Sequence, residues 1–248
     1  LERVEGQTRN NYLRTLRAGF QRAIKERWLK VDPTEGMDFV GKHTMGPWLP
    51  YSEWPRFLSG CTEAHEIRAG FVLETGLRAG ELAAARWAWI HGDVGRRAIK
   101  VVHDPATGFA PKWGSERSIP LTDKAEEWLT KAAARWGREG FIFSASGLSS
   151  TTNFARETRD ACEASGCTPT DFHGLRRSAG AHWLDCGVSL FEVSRLLGHQ
   201  EVSTTQRWYA ALSDKTLVSA IAHVEAVRAA AQGSAKGSAK VVRRLGRG

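Results

Sequence analysis

Cysteine is scarce in this sequence of 248 residues. The chain has four cysteines, and none belongs to a CxxC pair: Cys61, Cys162, Cys167 and Cys186. Proteins that are held together by disulfides need a much higher density of cysteine. The composition therefore excludes a disulfide scaffold and predicts free thiols in a reducing compartment.

Long apolar runs are also missing. A membrane-spanning helix needs about 20 consecutive apolar residues, and no stretch of the sequence approaches that length. No basic-then-apolar leader opens the chain, so we expect no export and no membrane partner. The first residue is Leu1 rather than Met, and we expect a processed product or an excised fragment.

The motifs of nucleotide-dependent and metal-dependent enzymes are absent from the sequence. No glycine-rich phosphate loop follows a predicted strand. The sequence contains no HExxH motif and no DxD-like carboxylate cluster. His91, His103 and His182 have no partner at a spacing that suits a shared metal ion. We therefore predict no cofactor and no metal.

Positive charge is present, but it is unevenly distributed. The formal net charge is +8, from 35 basic and 27 acidic residues. Residues 232–248 carry five basic side chains and no acid, and residues 1–42 carry nine basic and six acidic ones. Residues 43–231 carry 21 of each. Bulk charge therefore favours nucleic-acid binding only at the two ends, and the middle would bind through the arrangement of its side chains.

The hydrophobic periodicity predicts a mainly α fold with a small antiparallel β-sheet, in the α+β class. An amphipathic helix over residues 7–28 precedes a segment rich in proline and glycine. Two strands, Ala98–Val102 and Arg117–Leu121, are joined by a polar connection and form a hairpin. The other predicted helices begin near Ser52 and then cover residues 63–75, 79–87, 123–136, 152–164, 172–186, 189–197, 202–211 and 214–231.

Two arginines stand near predicted helix starts, where backbone N–H groups attract anions. Arg78 lies in TGLRAGEL, directly after a glycine turn. Arg176 lies three residues after His173 in HGLR, so the imidazole and the guanidinium share a helix face. The plainer interpretations are a surface Arg78 paired with Glu81 or Glu74, and a solvated Arg176 beside a helix cap.

Three further side chains could carry chemistry, although each has an ordinary structural interpretation. His199 follows the glycine that ends an apolar helix in LLGH. Lys112 lies on the tip of the predicted hairpin, where a lysine is usually solvated. Tyr209 lies on an amphipathic helix, where a tyrosine is usually a core residue with a wet hydroxyl. None of these positions identifies a function by itself.

Taken together, these elements resemble the catalytic domain of the tyrosine recombinases, or phage integrases. The matching motifs are TGLRAGEL, the hairpin that ends in RSIPL, HGLRRSAGAHWL, LLGH and the later WY. Residues 1–42 resemble the end of the helical, SAM-like core-binding domain that precedes it. The resemblance implies a C-terminal part of that domain at 1–42, a linker at 43–50, a catalytic domain at 51–231 and a basic flexible tail at 232–248.

The resemblance also implies an activity, namely the cutting and rejoining of DNA at specific sites through a covalent 3′-phosphotyrosine, without metal or ATP. It assigns Tyr209 as the nucleophile, His173 as its proton acceptor, Lys112 as the acid for the leaving oxygen, and Arg78, Arg176 and His199 as ligands of the phosphate. The sequence departs from the family pattern at Arg177, where many members have histidine, and at Pro111, where threonine is common.

The implied partner is double-stranded DNA, bound by four protomers on paired sites in the cytoplasm of a bacterial or phage-infected cell. An isolated fragment could be monomeric. Two alternatives remain open at this point: a type IB topoisomerase, which shares the nucleophile, and a non-catalytic DNA-binding protein on the same fold. The tail at 232–248 is either a source of salt-sensitive phosphate contacts or an artificial extension.

Overall fold

The computed structural model describes residues 6–40, 46–93, 95–146 and 151–200. The chain divides into two compact units, residues 1–45 and 46–248. Tyr209, the predicted helices at 202–211 and 214–231, and the basic tail lie outside the described residues. Within the described ranges, no helix combines the length and the apolar character that a bilayer crossing requires.

The first unit contains one long helix and a segment that folds back along it. Helix α1 spans Gly6–Lys25, so it ends three residues before the predicted end at position 28. Arg27 has a φ of 61°, and this left-handed conformation terminates helices. The side chain of Asn10 holds the returning segment, because its Nδ2 donates to the Val40 carbonyl at 2.8 Å and its Oδ1 accepts from the Val40 N–H at 2.9 Å.

The second unit contains helices and a small sheet. In the described residues its helices are α2 (Trp54–Ser59), α3 (Glu63–Thr75), α4 (Ala79–Ala84), α5 (Asp123–Trp136), α6 (Thr152–Ser165), α7 (Phe172–Asp185) and α8 (Leu190–Leu197). Its strands are β1 (Ile90–His91), β2 (Ala98–Val101) and β3 (Arg117–Pro120). The predicted mainly α fold with a small antiparallel sheet is confirmed.

The three strands form one antiparallel sheet in the order β1-β2-β3. β2 and β3 pair along their whole length, with Ile99 opposite Ile119, and both side chains are buried. The predicted hairpin is therefore confirmed. β1 pairs with the other edge of β2, and the sequence did not predict it because two residues are too few to display alternation.

Helix α3 lies at the centre of the second unit. It packs against α5 and α7 and also contacts α2 and α6, and most of its residues are buried. Gly70 allows α5 to approach closely, since a Cβ at that position would lie 2.3 Å from Trp128 Cε2. The helix ends at Gly76, which has a φ of 62°, as the sequence predicted.

Side-chain caps fix the starts of α7 and α8. Asp171 Oδ1 accepts a hydrogen bond from the Gly174 N–H at 2.7 Å. Ser189 and Glu192 form a capping box, in which each side chain accepts from the other residue's N–H, at 3.2 and 3.0 Å. Gly198, with a φ of 65°, ends α8. These caps fix where α7 begins and where α8 begins and ends.

Two helix boundaries in the second unit differ from the prediction by two residues or more. The helix expected to begin near Ser52 begins at Trp54, because residues 51–53 form a separate 3₁₀ turn. The helix expected to end at Trp87 ends at Ala84, because Ala85 is extended and leads toward the sheet. The four cysteines all lie in the described residues and are free thiols, as predicted.

Candidate active site

Three arginines converge on the C-terminal end of α8. They donate to three successive backbone carbonyls, Arg117 to Leu196, Arg176 to Leu197 and Arg78 to Gly198. The Arg117 and Arg78 bonds measure 2.7 and 2.8 Å. The carbonyls at a helix C-terminus lack partners within the helix and carry the negative end of its dipole. This helix end therefore collects the guanidiniums of three distant elements.

The local folding of each arginine explains why it reaches this point. Arg78 follows the Gly76 turn and is the N-cap residue of α4. Arg176 lies near the start of α7 with 2% of its surface exposed, and its Nη1 donates to the Gly76 carbonyl at 2.6 Å. Arg176 therefore bridges the end of α3 and the end of α8. The plainer interpretation of Arg176 as a solvated helix charge is therefore wrong.

A single buried carboxylate, Glu81, organises two of the guanidiniums. Its oxygens accept from Arg78 Nη1 at 2.7 Å and from Arg117 Nη1 and Nη2 at 2.9 and 2.7 Å. Burial raises the pKa of Glu81, but the hydrogen bonds and charge of Arg117, with the charges of Arg176 and Arg78, lower it to about 2. The carboxylate is therefore ionised throughout the neutral range. The Arg78–Glu81 pair of the plainer interpretation exists, but it forms part of the cluster.

Two histidines face the same cluster. His199 is half-buried. Its burial, and to a smaller extent the charges of Arg176 and Arg78, lower its pKa to about 3. His173 reaches the surface, yet the partial burial of its ring, and to a smaller extent the charge of Arg176, lower its pKa to about 4. Both imidazoles are therefore neutral at neutral pH. The positive charge at the site comes from the arginines.

The charges of the cluster suit it to binding an anion. In the described part of the chain, three guanidiniums meet at the carbonyls of the α8 end, and Glu81 is the carboxylate that pairs with two of them. Guanidinium N–H groups match the oxygens of a phosphate in geometry and charge. The geometry brings together four of the six predicted site residues, Arg78, His173, Arg176 and His199.

The roles of the other two predicted residues, Lys112 and Tyr209, stay predictions. Lys112 is exposed and begins a 3₁₀ turn in the connection between β2 and β3, where the sequence placed it. Its role as an acid stays a prediction. Tyr209 lies outside the described residues, so its role as the nucleophile also stays a prediction.

The sequence interpretation did not identify Arg117 as part of the site. A signal for it was present, because Arg117 alternates with the exposed Ser118 and shares a strand face with the buried Ile119. A charged residue on the inward face of a strand is rare unless it is paired. Its partner, Glu81, lies 36 positions away, and sequence periodicity does not reveal pairing over that distance.

Arg177, which departs from the family pattern, binds the segment before α2. Its Nε and Nη2 donate to the Pro47 carbonyl at 3.1 and 2.9 Å, and Nη2 lies 3.3 Å from Asp171 Oδ1. Thr170 Oγ1 donates to the same carbonyl at 2.9 Å. Arg177 thus ties the start of the second unit to the first turn of α7.

The donor set at this site does not resemble a metal centre. Across residues 6–40, 46–93, 95–146 and 151–200, no three His, Cys, Asp or Glu side chains are grouped in a way that could hold a metal ion. The cluster instead offers N–H donors, which bind anions.

Residues 48–216 match the family model described as the phage integrase family. The match covers more than half of the chain, and the chain belongs to this family. The tyrosine recombinase resemblance recognised in the sequence is confirmed.

Curated relatives carry recombinase and integrase names. The chain is 32% identical over 165 residues to tyrosine recombinase XerC of Bifidobacterium longum (strain DJO10A), covering 58% of this chain and 44% of the relative. It is 29% identical over 141 residues to the shufflon-specific DNA recombinase of Escherichia coli, covering 55% and 32%. It is 25% identical over 222 residues to the ICEBs1 integrase of Bacillus subtilis (strain 168), covering 79% and 59%. The chain thus spans about a third to three fifths of the length of these relatives.

Solved structures share the fold. The Tn1549 transposon integrase in complex with transposon right end DNA superposes with a TM-score of 0.68 at 21% identity, covering 92% of this chain and 81% of that chain. A lambda integrase dimer bound to a COC' core site gives a TM-score of 0.62 at 20% identity, covering 79% and 70%.

Proposed function

We propose that this chain is the strand-cleaving part of a site-specific DNA recombinase, which cuts and rejoins DNA through a 3′-phosphotyrosine on Tyr209. The observation that carries the proposal is the convergence of Arg78 and Arg176 on the end of α8, beside two neutral histidines. Such a group of donors suits one phosphate whose negative charge increases during reaction. Membership of the phage integrase family favours recombination over the topoisomerase and non-catalytic alternatives.

The proposed reaction exchanges one phosphodiester for another. The Tyr209 phenol oxygen attacks the phosphorus in line, a bond forms between them, and the bond from phosphorus to the 5′ oxygen breaks. The phenol proton passes to His173, and Lys112 protonates the departing 5′ oxygen. Attack by a 5′ hydroxyl on the phosphotyrosine reverses these steps and restores the tyrosine. The bond energy is conserved in the phosphotyrosine, so rejoining needs no ATP.

Both histidines are in the neutral form at neutral pH, which these roles require. A phenol has a pKa near 10, so it is a poor nucleophile at neutral pH unless a base accepts its proton. His173, with a pKa of about 4, is neutral and able to accept. A bound phosphodiester would raise the pKa of His173, because an opposite charge stabilises the protonated ring. His199 would donate its N–H to a nonbridging oxygen.

The guanidiniums would stabilise the phosphate as negative charge accumulates on its nonbridging oxygens. The plane of Arg78 is fixed by its bonds to Glu81 and to the Gly198 carbonyl. Arg176 is fixed by its bonds to the Gly76 and Leu197 carbonyls. Donors that are held before the substrate arrives need no reorganisation during reaction, and one such donor is typically worth about 3 kcal/mol.

Double-stranded DNA is the proposed partner, because the Tn1549 transposon integrase, which shares this fold, was solved in complex with transposon right end DNA. Recombination joins strands of two duplexes, so we propose an assembly of four protomers on paired sites, with the chain acting in the cytoplasm of a bacterial or phage-infected cell. The basic residues at 232–248 would add phosphate contacts that depend on salt rather than on sequence.

A nicked suicide duplex tests the proposal, because loss of a short fragment traps the covalent intermediate. We expect a protein–DNA adduct that survives denaturation, and we expect Tyr209→Phe to abolish it. Tyr51→Phe is the matched control, since Tyr51 is exposed and stacks on His182, and it should form the adduct. An adduct formed by Tyr209→Phe would exclude Tyr209 as the nucleophile.

A further inference from the structure

Arg117 was not among the predicted site residues, yet all three of its guanidinium nitrogens form charge-assisted contacts at the site. It lies at the start of β3, and 6% of its side chain is exposed. Its two terminal nitrogens bind both oxygens of Glu81, at 2.9 and 2.7 Å. Its third nitrogen, Nε, donates to the Leu196 carbonyl at 2.7 Å. One guanidinium plane thus joins β3, α4 and α8.

The contact with Glu81 reaches Arg78. Glu81 Oε1 accepts from both Arg117 Nη1 and Arg78 Nη1, so the carboxylate is a shared bridge. Removing Arg117 would leave a buried carboxylate with a single side-chain partner, and that arrangement is costly in a low-dielectric environment. The carboxylate would then be free to rotate toward Arg78 or to bind a proton, and in either case Arg78 would lose its fixed orientation.

The contact with α8 reaches His199 by a second route. Arg117 fits so closely against the end of the helix that a Cβ at Gly198 would lie 2.9 Å from Arg117 Cδ. His199 follows directly, and its N–H donates to the Ser194 carbonyl at 3.0 Å. The position of the imidazole therefore depends on a helix end whose carbonyl at Leu196 is held by Arg117.

We infer that Arg117 is a positioning residue for strand cleavage, which orients Arg78 through Glu81 and His199 through the C-terminal end of α8. The inference rests on the proposed function. Arg117 would act through these neighbours rather than on the phosphate, since its three guanidinium nitrogens are all bonded to Glu81 and to the Leu196 carbonyl. A second consequence follows from its place in the chain, because β3 also closes the hairpin that carries Lys112, so the base of that hairpin is anchored to the same cluster.

Substitution of Arg117 provides the test, with Arg97 as a matched control. Arg97 also forms a bidentate pair with a glutamate, Glu126, and is largely buried, but it lies outside the cluster. Single-turnover cleavage of the suicide duplex is measured with protein in excess. We expect Arg117→Gln to slow cleavage about 100-fold, Arg117→Lys to slow it less, and Arg97→Gln to stay within about threefold of the wild type.

The DNA dissociation constant is measured on the same variants. It should change by less than about threefold for Arg117→Gln, because the substitution alters the orientation of the phosphate ligands rather than the affinity for DNA. Thermal unfolding establishes that each variant is folded. If Arg117→Gln does not fold, Arg117→Lys takes its place in every comparison. A folded Arg117 variant that cleaves as fast as Arg97→Gln would overturn the inference.

Hydrogen exchange gives an outcome that does not depend on activity. The amides of Gly198 and His199 donate to Arg195 and Ser194, and loosening of the α8 end would accelerate their exchange. We expect faster exchange there in Arg117→Gln and no change in Arg97→Gln. Unchanged exchange would overturn the inference even if cleavage is slow. A wild-type chain that forms no adduct would refute the proposed function, while the exchange result would still decide the role of Arg117.

Discussion

At the scale of single residues, the orientation of Arg78 is set by its neighbours before any ligand arrives. Its backbone N–H donates to Glu81 Oε2 at 2.8 Å, and its guanidinium is held by Glu81 and by the Gly198 carbonyl. Its side chain remains 22% exposed, so a phosphate can reach it. An arginine that is both fixed and accessible is suited to stabilising a transition state more than to general attraction of DNA.

Arg78→Ala should therefore slow strand cleavage far more than it weakens DNA binding. We expect a loss of about 100- to 1,000-fold in the single-turnover rate and a loss of less than about tenfold in affinity, because DNA affinity is spread over many phosphate contacts. Arg135→Ala, which removes an arginine paired with Glu63 on another surface, is the control. Equal losses of rate and affinity would make Arg78 only an anchor.

The individual residues show how much of the site could be predicted from the sequence. The resemblance selected Arg78, His173, Arg176 and His199, and the geometry brings them together. Sequence alone did not reveal that Arg176 is buried, because HGLRRSAG places two adjacent arginines at the start of a helix and only packing separates their environments. It also did not reveal the Glu81–Arg117 pair, which depends on the approach of α4 to β3.

At the scale of elements, helix ends do much of the positioning. The C-terminal carbonyls of α3 and α8 both accept from Arg176, and the left-handed glycines at positions 76 and 198 end these helices where the site requires. The capping box of α8 and the stop of α3 were predictable, because their signals lie within four residues of one another. The two-residue strand β1 was not predictable, because it depends on pairing with β2.

The packing of α3 on α6 contains a histidine that should make stability depend on pH. His65 is 1% exposed, with Thr158 Oγ1 3.1 Å from Nε2 and Glu157 Oε2 3.0 Å from Nδ1. The ring of Phe172 on α7 lies 6.0 Å away between centroids. Burial, followed by the charge of Arg68, lowers the pKa of His65 to about 4 despite the nearby carboxylate.

Between the unfolded pKa near 6.5 and the folded pKa of about 4, the unfolded chain binds more protons at His65 than the folded chain does. The free energy of unfolding should therefore fall as the pH falls through this window. We expect His65→Gln, which cannot titrate, to flatten the curve by on the order of 2 kcal/mol. Chemical denaturation at pH 7 and pH 4.5 measures this, and parallel curves for the two proteins would contradict it.

At the scale of the whole molecule, the site depends on contacts that span much of the chain. Arg78 and Gly198 are hydrogen-bonded although they lie 120 positions apart in the sequence, and Arg176 and Gly76 although they lie 100 positions apart. Residues 43–231 carry as many acids as bases, so the local excess of positive charge at the cluster results from folding rather than from composition. This is why composition predicted DNA binding only at the chain ends, whereas the motif order predicted the site.

The same concentration of charge leads to a prediction about metal ions. Metal-dependent phosphoryl transfer uses carboxylates to hold cations that neutralise the phosphate. Here the carboxylate at the site, Glu81, is already occupied by Arg78 and Arg117, and Arg78 and Arg176 would supply the charge that neutralises the phosphate. Adduct formation on the suicide duplex should therefore proceed at the same rate, within about twofold, in excess chelator and in added magnesium. An activity that chelator removes and magnesium restores would identify a nuclease-like mechanism instead.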